Sequence, residues 1–379
     1  MKNTTLYDLA IIGGGLGGLC LAISLAKKSF RVVLFEKETY PFHKVCGEYI
    51  SQESRPFLES LGVPLPEMQL PQITRLQVSS PSGNVLEEKL PLGGFGVSRY
   101  LLDNTLCRIA RENGVDILED TKVQDVNFEN DIFTINTTQG DFTSRTCAGA
   151  FGKRSNLDVK WKRPFTINMK GRLQNYIAVK YHVNYEQPAD TISLHNFQDG
   201  YCGISHIEEG KCCLCYLTTS ANLKKSGNSI ADMETKILSA NPLLKNIFKK
   251  GEKLYEVPLT ISQVSFRKKN QVENHILLLG DAAGMITPLC GNGMSMAMHA
   301  AKIAAGNLEK FLHGRQTRRD MEEKYTMQWK SAFGTRLKTG RFLQRLFGDA
   351  TITNMFVSSM KKFPAITRRL IKLTHGNPF

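Results

Sequence analysis

Glycines at positions 13, 15 and 18 form a GxGxxG pattern between an apolar run and a segment with helical spacing. The first glycine permits a tight turn, the second lets a pyrophosphate approach the backbone, and the third lets the helix pack closely on the strand. The N-terminus of that helix offers unpaired N–H groups to an anion. Glu36 ends the next β-branched run, where a carboxylate can bind the hydroxyl groups of an adenosine ribose. This spacing predicts a dinucleotide-binding site built on Gly13, Gly15, Gly18 and Glu36.

A second glycine-rich segment lies far along the chain, at residues 280–294. The apolar run 276–279 leads into it and delivers Asp281, and the sequence Gly-Asn-Gly at 291–293 precedes a long helical pattern. A carboxylate at the end of a strand can hold ribityl hydroxyl groups, and a helix N-terminus stabilises negative charge on a reduced flavin ring. The first motif does not separate NAD from FAD, whereas this second segment favours FAD.

The elements around the two segments predict an α/β chain in which both ends contribute to one sheet. Strands at 7–12 and 31–35 flank a helix and form a right-handed βαβ unit. Further helices are predicted at 51–61, 98–112, 230–239 and 292–312 and after residue 313, and further strands at 73–90, 115–118, 123–128, 132–137, 275–279 and within 167–217. We therefore predict a discontinuous FAD-binding domain (1–72 with 97–159 and 270–312), an inserted β-sheet substrate domain (73–96 with 160–269) and a helical, basic C-terminal region (313–379).

Composition and charge narrow the class of protein. The chain has 379 residues, of which 41% are apolar and 22% charged, and these proportions exclude a disordered, collagen-like or coiled-coil protein. Nine scattered cysteines favour a reducing, cytoplasmic setting, and the cluster at 212–215 has no Cys-x-x-Cys pair, so no metal site is predicted.

Positive charge is concentrated near the C-terminus. The net charge is +14, and the residues from Arg315 onward contain fourteen Lys and Arg against four Asp and Glu. An amphipathic pattern between residues 342 and 360 carries cations between its apolar positions. Such helices either lie on an anionic membrane surface or pack on the body of the enzyme with the cations outward. We therefore expect a cytoplasmic protein with peripheral contact at the inner face of the membrane as one alternative, and no nucleic-acid partner; the oligomeric state is left open.

The combination of motifs resembles a known group of FAD-dependent oxidoreductases. The N-terminal GxGxxG with Glu36, the segment Ser-Arg-Tyr-Leu-Leu-Asp at 98–103, and the Gly-Asp…Pro…Gly-Asn-Gly pattern at 280–293 are similar to those of p-hydroxybenzoate hydroxylase, geranylgeranyl reductases and flavin-dependent halogenases. The likeness to geranylgeranyl reductase-like proteins is the closest. The resemblance spans about residues 5–312 and implies a Rossmann-like, glutathione-reductase-like FAD domain with a β-sheet that covers a substrate cavity over the flavin.

The resemblance also implies contacts to the cofactor. Arg99 is expected along the pyrophosphate and ribose, Val123 at the adenine, and Asp281 at the ribityl and phosphate region. Residues at the pyrimidine edge of the flavin are Gly291, Asn292 and Gly293. The remaining expected cofactor contacts are Ile12, Leu16, Gly17, Lys37, Cys46, Gly47, Gly280, Pro288 and Met294.

The segment His-Lys-Val-Cys-Gly-Glu at 43–48 resembles the Cys-Gly element of geranylgeranyl reductase-like proteins, which runs beside the flavin ring. Cys46 is expected in the flavin wall, where a thiol either fills space or donates a proton. Glu48 is assigned either acid/base duty or a role as salt-bridge anchor of the loop. Tyr201, in a strand that approaches the flavin from the substrate side, is a candidate to hydrogen-bond the substrate.

Two departures from the group bear on the reaction. Phe151 stands where the hydroxylases carry an Asp associated with FAD and reduced pyridine nucleotide, so the use of NADPH or NADH as direct electron donor is left uncertain. The Trp-x-Trp-x-Ile-Pro element of the halogenases is missing, which disfavours halogenation.

Three functions remain from the sequence. The first is an FAD monooxygenase that acts on an aromatic or lipophilic substrate resembling a phenolic lipid or polyketide. The second is a reductase that adds hydride to double bonds of a prenyl or related lipid. The third is a non-catalytic flavin-binding or electron-carrier protein.

Overall fold

The computed structural model describes residues 5–153, 155–167, 176–264, 266–287, 291–347 and 349–379. Its strands are β1 (Leu6–Ile12), β2 (Val32–Phe35), β3 (Tyr49–Ser51), β4 (Gln72–Ser79), β5 (Val85–Gly96), β6 (Asp116–Leu118), β7 (Val123–Glu129), β8 (Ile132–Thr137), β9 (Gly140–Gly149), β10 (Tyr176–Asn184), β11 (Thr191–Phe197), β12 (Gly200–His206), β13 (Cys212–Thr219), β14 (Glu252–Lys253), β15 (Leu259–Val264), β16 (Val272–Glu273) and β17 (Ile276–Leu278). Its helices are α1 (Leu16–Ala26), α2 (Arg55–Leu61), α3 (Arg99–Glu112), α4 (Asn156–Lys160), α5 (Pro164–Ile167), α6 (Ser220–Lys225), α7 (Ile230–Lys236), α8 (Pro242–Lys250), α9 (Gly293–Leu312), α10 (Arg318–Leu346), α11 (Ala350–Lys362) and α12 (Pro364–Thr374).

Sheet 1 has a parallel centre in the order β6-β2-β1-β9-β17. Residue Ile11 of β1 is in register with Leu34 of β2 on one side and with Ala148 of β9 on the other. From β1 the chain continues to β2 and β6 on one side of β1, whereas the later strands β9 and β17 lie on its other side. The strand order therefore reverses between β1 and β9. Ligands of doubly wound sheets bind at the carboxyl ends of the strands at such a point. The glycine motif after β1 is therefore at the expected position, and the α/β prediction is confirmed.

The core of this half is apolar on both faces of the sheet. Strand β2 is buried throughout, as are nine of the eleven residues of α1. Helix α1 contacts α3 on one side and α9 on the other. Because β1, β2 and β17 are near-continuous apolar runs, they suit a parallel sheet covered by helices on both sides.

Sheet 2 is mostly antiparallel, in the order β14-β10-β13-β12-β11-β4-β5-β3, with β15 paired to β10. Strand β3, at residues 49–51, pairs with β5 in this sheet. The predicted bound at residue 72 between the first two domains remains a prediction, although β3 belongs to sheet 2 and precedes that bound.

The C-terminal region is helical, as predicted, and packs against the rest of the molecule. Helix α10 contacts α9, and both α11 and α12 contact β5 of sheet 2. Two local predictions differ from the structure. The segment predicted as a helix from residue 51 begins its α-helix only at Arg55, because residues 49–51 are drawn into the edge of sheet 2. Strand β9 was not predicted, since its N-terminal part is polar.

Candidate functional site

Two glycines of the loop after β1 are too closely packed to be replaced by larger residues. Gly13 has a φ of 103°, and a Cβ atom there would lie 2.6 Å from the carbonyl oxygen of Ala150. A Cβ atom on Gly18 would lie 2.1 Å from the carbonyl oxygen of Gly13. These two glycines let α1 begin directly against β1 and β9, which directs the N-terminus of α1 into the space beyond the sheet.

Two cations flank that N-terminus. A Cβ atom on Gly15 would lie 3.6 Å from Nη2 of Arg99 and 3.9 Å from Nζ of Lys44. The Arg99 guanidinium donates to both carboxylate oxygens of Asp103, at 2.8 and 2.7 Å, and Lys44 lies 3.2 Å from the same carboxylate. Because Asp103 is 1% exposed and holds the guanidinium in a fork, Arg99 has a fixed orientation beside Gly15. Positive charge, a helix N-terminus and an open backbone are the features that bind a pyrophosphate in dinucleotide sites, so the predicted role of Arg99 and Gly15 is compatible with the structure and remains a prediction.

Glu36 supplies an acceptor at the end of β2. Its Oε2 atom accepts a hydrogen bond of 2.9 Å from the backbone N–H of Gly14, and the side chain is 6% exposed. The Tyr40 hydroxyl, which donates to the carbonyl oxygen of Gly14, closes the loop from the same side. The carboxylate is therefore held at the carboxyl edge of the sheet, where it can accept from ribose hydroxyl groups.

The second glycine-rich segment reaches the same edge from β17. Burial raises the pKa of Asp281, while the cations Lys269, Lys153 and Arg99 act in the opposite direction. Lys269 donates to the carbonyl oxygens of Lys153 and Asp281, at 2.7 Å each, and so joins the ends of β9 and β17. The backbone of Asp281 is thereby held by Lys269, and its buried carboxylate lies under the influence of three cations; a carboxylate can accept hydrogen bonds from hydroxyl groups.

The N-terminus of α9 is held by a contact with the C-terminal helices. Asn292 is fully buried and its amide nitrogen donates to the carbonyl oxygen of Thr374 on α12. Its Oδ1 atom has no hydrogen-bond partner among the residues that the structure describes. Gly291, with a φ of 65°, lies against the ring of Tyr49. An unpaired buried acceptor beside a helix N-terminus fits the hydrogen-bonding edge of a flavin.

One cavity of about 1250 Å³ joins these features. Most of the predicted cofactor residues line it: Ile12, Gly13, Gly15, Leu16, Gly17, Glu36, Lys37, Cys46, Gly47, Arg99, Val123, Gly280, Asp281, Gly291, Gly293 and Met294. Gly18 and Asn292 are not on the wall, and Pro288 lies outside the described residues. Tyr201, on β12 and 4% exposed, lines the same cavity. The roles of these residues remain predictions, but the fold brings them together.

Glu48 lies at the centre of a buried ionic cluster. The carboxylate accepts from Nζ of Lys180 at 2.5 Å, from Nε2 of His182 at 2.6 Å and from the backbone N–H of Arg99 at 2.8 Å. Burial alone would raise the pKa of Glu48, but the hydrogen bonds and charges of His182 and Lys180 outweigh it and hold the pKa below its ordinary value. Glu48 itself has a φ of 55°, in the left-handed region. This arrangement matches the salt-bridge anchor expected as one alternative, and an ionised, fully paired carboxylate is a poor proton acceptor.

Cys46 lies two residues before Glu48 and lines the cavity. Burial raises the pKa of its thiol, so the group is neutral at neutral pH. Its carbonyl oxygen accepts from the Cys213 thiol at 3.2 Å. The possible metal-ligating atoms of Glu48, His182 and Cys213 lie within 4.8 Å of one another. The ammonium group of Lys180, however, already forms an ion pair with the Glu48 carboxylate. We assign this cluster to an ion pair and not to a metal.

Some residues of the site had no role in the sequence prediction. Lys180 and His182 alternate on β10 and so point to one side of sheet 2; that i, i+2 pair of polar residues in an apolar strand was the available signal. Lys153 lines the cavity, and burial lowers its pKa to about 8 despite the opposing charge of Asp281. His195, unassigned from the sequence, is a core residue that bonds Ser79 at 2.9 Å.

The chain is similar to flavoenzymes over most of its length. The NAD(P)-binding Rossmann-like domain family matches residues 11–45. Conditioned medium factor receptor 1 of Dictyostelium discoideum is 25% identical, over 88% of this chain and 69% of the relative. Digeranylgeranylglycerophospholipid reductase 2 of Methanothermobacter thermautotrophicus is 24% identical, over 88% of this chain and 85% of that protein. Among solved structures, the flavin-dependent brominase Bmp2 has a TM-score of 0.80 at 21% identity and covers 98% of this chain and 93% of its own.

These similarities confirm the resemblance found in the motifs. The chain is similar to flavin-dependent halogenases and to digeranylgeranylglycerophospholipid reductases, and FAD is the cofactor that this similarity supports. Arg99, Lys44 and Glu36 line one cavity, which is compatible with this cofactor, whereas Asn292 is buried behind the wall; their contacts with FAD remain predictions. No described helix combines the length and the apolar character that a bilayer span requires.

Proposed function

We propose that this protein is an FAD-dependent monooxygenase whose substrate is aromatic and largely apolar, such as a phenolic lipid or a polyketide. One observation carries the proposal. The part of the cavity wall that comes from sheet 2 and from the C-terminal helices contains, among described residues, no Asp, Glu, Lys or Arg. Its side chains include Leu76, Leu86, Leu90, Ile192, Leu194, Ile204, Leu217, Ile261, Phe347, Phe356, Val357, Met360, Leu370 and Ile371.

The wall selects against small hydrophilic acids. A carboxylate or phosphate placed in this part of the cavity would lose its hydration without a charged partner, which costs several kcal/mol. The histidine of this part of the wall is His375, and burial lowers its pKa, so it is neutral at neutral pH. An alkyl chain or aromatic ring, in contrast, gains about 25 cal/mol for each Å² removed from water.

The residues on the side of sheet 1 have binding roles. Gly15, Arg99 and Lys44 hold the pyrophosphate, and Glu36 accepts from a ribose. Bound FAD, once it has been reduced by an electron donor, would supply two electrons that can activate dioxygen or reduce a carbon–carbon double bond. Tyr201 offers a hydroxyl group to a phenolic oxygen of the substrate from the opposite wall.

A second candidate function is the reduction of double bonds in a prenyl or related lipid. The neutral thiol of Cys46 on the cavity wall favours it, because reduction of a double bond needs a proton as well as a hydride. The similarity to the digeranylgeranylglycerophospholipid reductase, over 85% of that enzyme, also supports it. Both functions share the cofactor site and the apolar cavity and differ in what receives the electrons.

Product analysis separates the two. The FAD-loaded protein is photoreduced without oxygen and divided between a long-chain alkylphenol with isotopically labelled dioxygen and a geranylgeranyl lipid under anaerobic conditions. Monooxygenation gives a phenol that carries one labelled oxygen atom, whereas the reductase gives a lipid with two additional hydrogen atoms. Peroxide alone, with neither product, would contradict both and favour an electron carrier. A protein that folds but does not take up FAD would contradict the whole proposal.

Substitution of Cys46 gives a second discrimination. In the monooxygenase the Cys46→Ala variant retains turnover within about twofold, because the thiol is only part of the wall. In the reductase, loss of the proton donor lowers kcat by about a hundredfold or more. Cys147, buried in β9 and away from the cavity wall, provides the matched control as Cys147→Ala.

Because Phe151 stands where the hydroxylases carry an Asp, we also expect NADPH to reduce the flavin slowly, whether the protein is a monooxygenase or a reductase.

A further inference from the structure

Helices α11 and α12 have apolar side chains on two opposite faces. The inner face lines the cavity through Phe356, Val357 and Met360 of α11 and through Leu370 and Ile371 of α12. The outer face consists of Ile352, Met355 and Lys362 of α11 and of Ile366, Arg369 and Leu373 of α12, all exposed to solvent. A helix that only packs on the body of an enzyme has one apolar stripe, so the second apolar surface calls for a partner.

Helices α11 and α12 are also strongly basic. Residues 350–379 contain Lys361, Lys362, Arg368, Arg369 and Lys372 and no Asp or Glu. All five cations are exposed, and none forms an ion pair with a described residue. Met355 is 67% exposed and Ile366 49% exposed, and Ile352 and Leu373 on the same face are exposed as well. Apolar side chains between unpaired cations are the composition of helices that lie in the interface of an anionic bilayer.

We propose that the outer face of α11 and α12 docks on an anionic lipid surface. A second copy of this chain is a poorer occupant, because pairing two identical faces would bring Lys362 and Arg369 of each copy together, with six further exposed cations of the same helices nearby and no Asp or Glu within residues 350–379. Since the same two helices form part of the cavity wall, docking would place that wall against the bilayer. The consequence that an apolar substrate enters from the membrane rests on the proposed function; the docking itself does not.

The docking is tested by co-sedimentation of the FAD-loaded protein with vesicles of phosphatidylcholine, with and without phosphatidylglycerol. We expect binding to the vesicles that contain phosphatidylglycerol and weaker binding at high salt, because surface charges are screened. The triple variant Arg368→Glu, Arg369→Glu, Lys372→Glu is expected to lower the affinity by about tenfold or more. The matched control is Lys245→Glu, Lys249→Glu, Lys250→Glu, which reverses three exposed cations on the amphipathic helix α8 and is expected to bind as the native protein does.

The apolar contribution is tested with Ile366→Ser and Leu373→Ser, against Val257→Ser, which changes an apolar residue that is 77% exposed elsewhere. Bound FAD, measured by absorbance, reports that each variant is folded. The proposal is overturned if the native protein stays in the supernatant at low salt or if the triple variant binds as tightly as the native protein. It is also overturned if sedimentation shows that the native protein is a dimer and that the Ile366→Ser or Leu373→Ser variant is a monomer, since the face would then bind a second copy of the chain. Docking without FAD uptake would overturn only the proposed function.

Discussion

Nε2 of His182 lies 2.6 Å from Oε2 of Glu48, and this hydrogen bond connects sheet 2 to the loop that carries Cys46. The ionised carboxylate accepts, so the imidazole donates through Nε2. Lys180, two residues before His182 on β10, binds the other carboxylate oxygen and also donates to the carbonyl oxygen of Lys44 at 3.2 Å. The cluster thus fixes the position of the 43–48 loop between the two sheets, where it forms part of the cavity wall.

Loss of the Glu48 carboxylate is expected to destabilise the protein. Glu48→Gln leaves Lys180 buried without its anion, and we expect the free energy of unfolding to fall by about 3 kcal/mol. The exposed pair between Arg75 and Glu87 provides the control, since Glu87→Gln should cost no more than about 1 kcal/mol. Urea unfolding measures both. An equal loss of unfolding free energy in the two variants would show that the buried cluster stabilises the protein no more than an exposed ion pair does.

The same cluster predicts sensitivity to acid. The pKa of Glu48 is lower in the folded protein than in the unfolded chain. Its contribution to stability is therefore complete above the unfolded pKa and is lost as the pH falls through the folded pKa. We expect thermal unfolding of the native protein to shift to lower temperature across that acidic range, and the Glu48→Gln variant to show a flatter profile. Parallel profiles would contradict the assignment.

Gly15→Ala should separate cofactor binding from folding. The added Cβ atom would lie 3.6 Å from Arg99, an ordinary contact, and Gly15 has a φ of −83°, which alanine adopts freely. The unfolding free energy without FAD should change by less than about 0.5 kcal/mol, whereas FAD affinity should fall about tenfold or more because the methyl group occupies the pyrophosphate position. Gly306→Ala, in α9 with open space around it, is the control. Unchanged FAD affinity in Gly15→Ala would place the pyrophosphate elsewhere.

Lys153 predicts that FAD affinity depends on pH. Burial lowers the pKa of Lys153 to about 8, so the free protein loses this cation above that pH. If protonated Lys153 attracts the cofactor phosphates, affinity falls as the pH rises past 8, by up to about tenfold per pH unit. Lys153→Met should be flat over this range, and Lys330→Met, on the exposed side of α10, should behave as native.

The pH dependence of FAD affinity must also be measured for a variant of Lys269. Burial lowers its pKa to about 8 as well, but it donates to the carbonyl oxygens of Lys153 and Asp281. The Lys269→Met variant should therefore keep the pH dependence of FAD binding. If the dependence disappears in Lys269→Met and persists in Lys153→Met, the roles of the two lysines are reversed.

A larger side chain in the cavity should exclude substrate and keep the cofactor. Leu370→Trp places an indole on the inner face of α12, and we expect it to weaken binding of a long-chain alkylphenol about tenfold or more while FAD remains bound. Met327→Trp, 65% exposed on α10, is the control. Titration of the flavin absorbance with the alkylphenol measures both. Equal affinity in the two variants would place the substrate outside the part of the cavity lined by the C-terminal helices.

The nucleotide-binding half of this protein could be predicted from the amino-acid pattern without a structure. A GxGxxG turn has few structural solutions, because Gly13 needs a positive φ and Gly18 tolerates no Cβ atom, so residue type and spacing alone predict the β1–α1 turn. The periodicity of apolar residues likewise predicted most helices and strands, including α3, α9 and the C-terminal helices. These signals are local, and local signals can be read along the chain.

Contacts between residues far apart along the chain became known only from the three-dimensional fold. Glu48 and His182 are separated by 134 positions and Asn292 and Thr374 by 82, and no local pattern records either contact. The role of Glu48 as an anchor depends on two side chains of β10 that the pairing of sheet 2 turns toward it. In the same way, the amphipathic C-terminal pattern left two arrangements open, since periodicity shows that a helix has apolar faces but not what covers them. Packing on β5 placed one face in the cavity and left the other exposed.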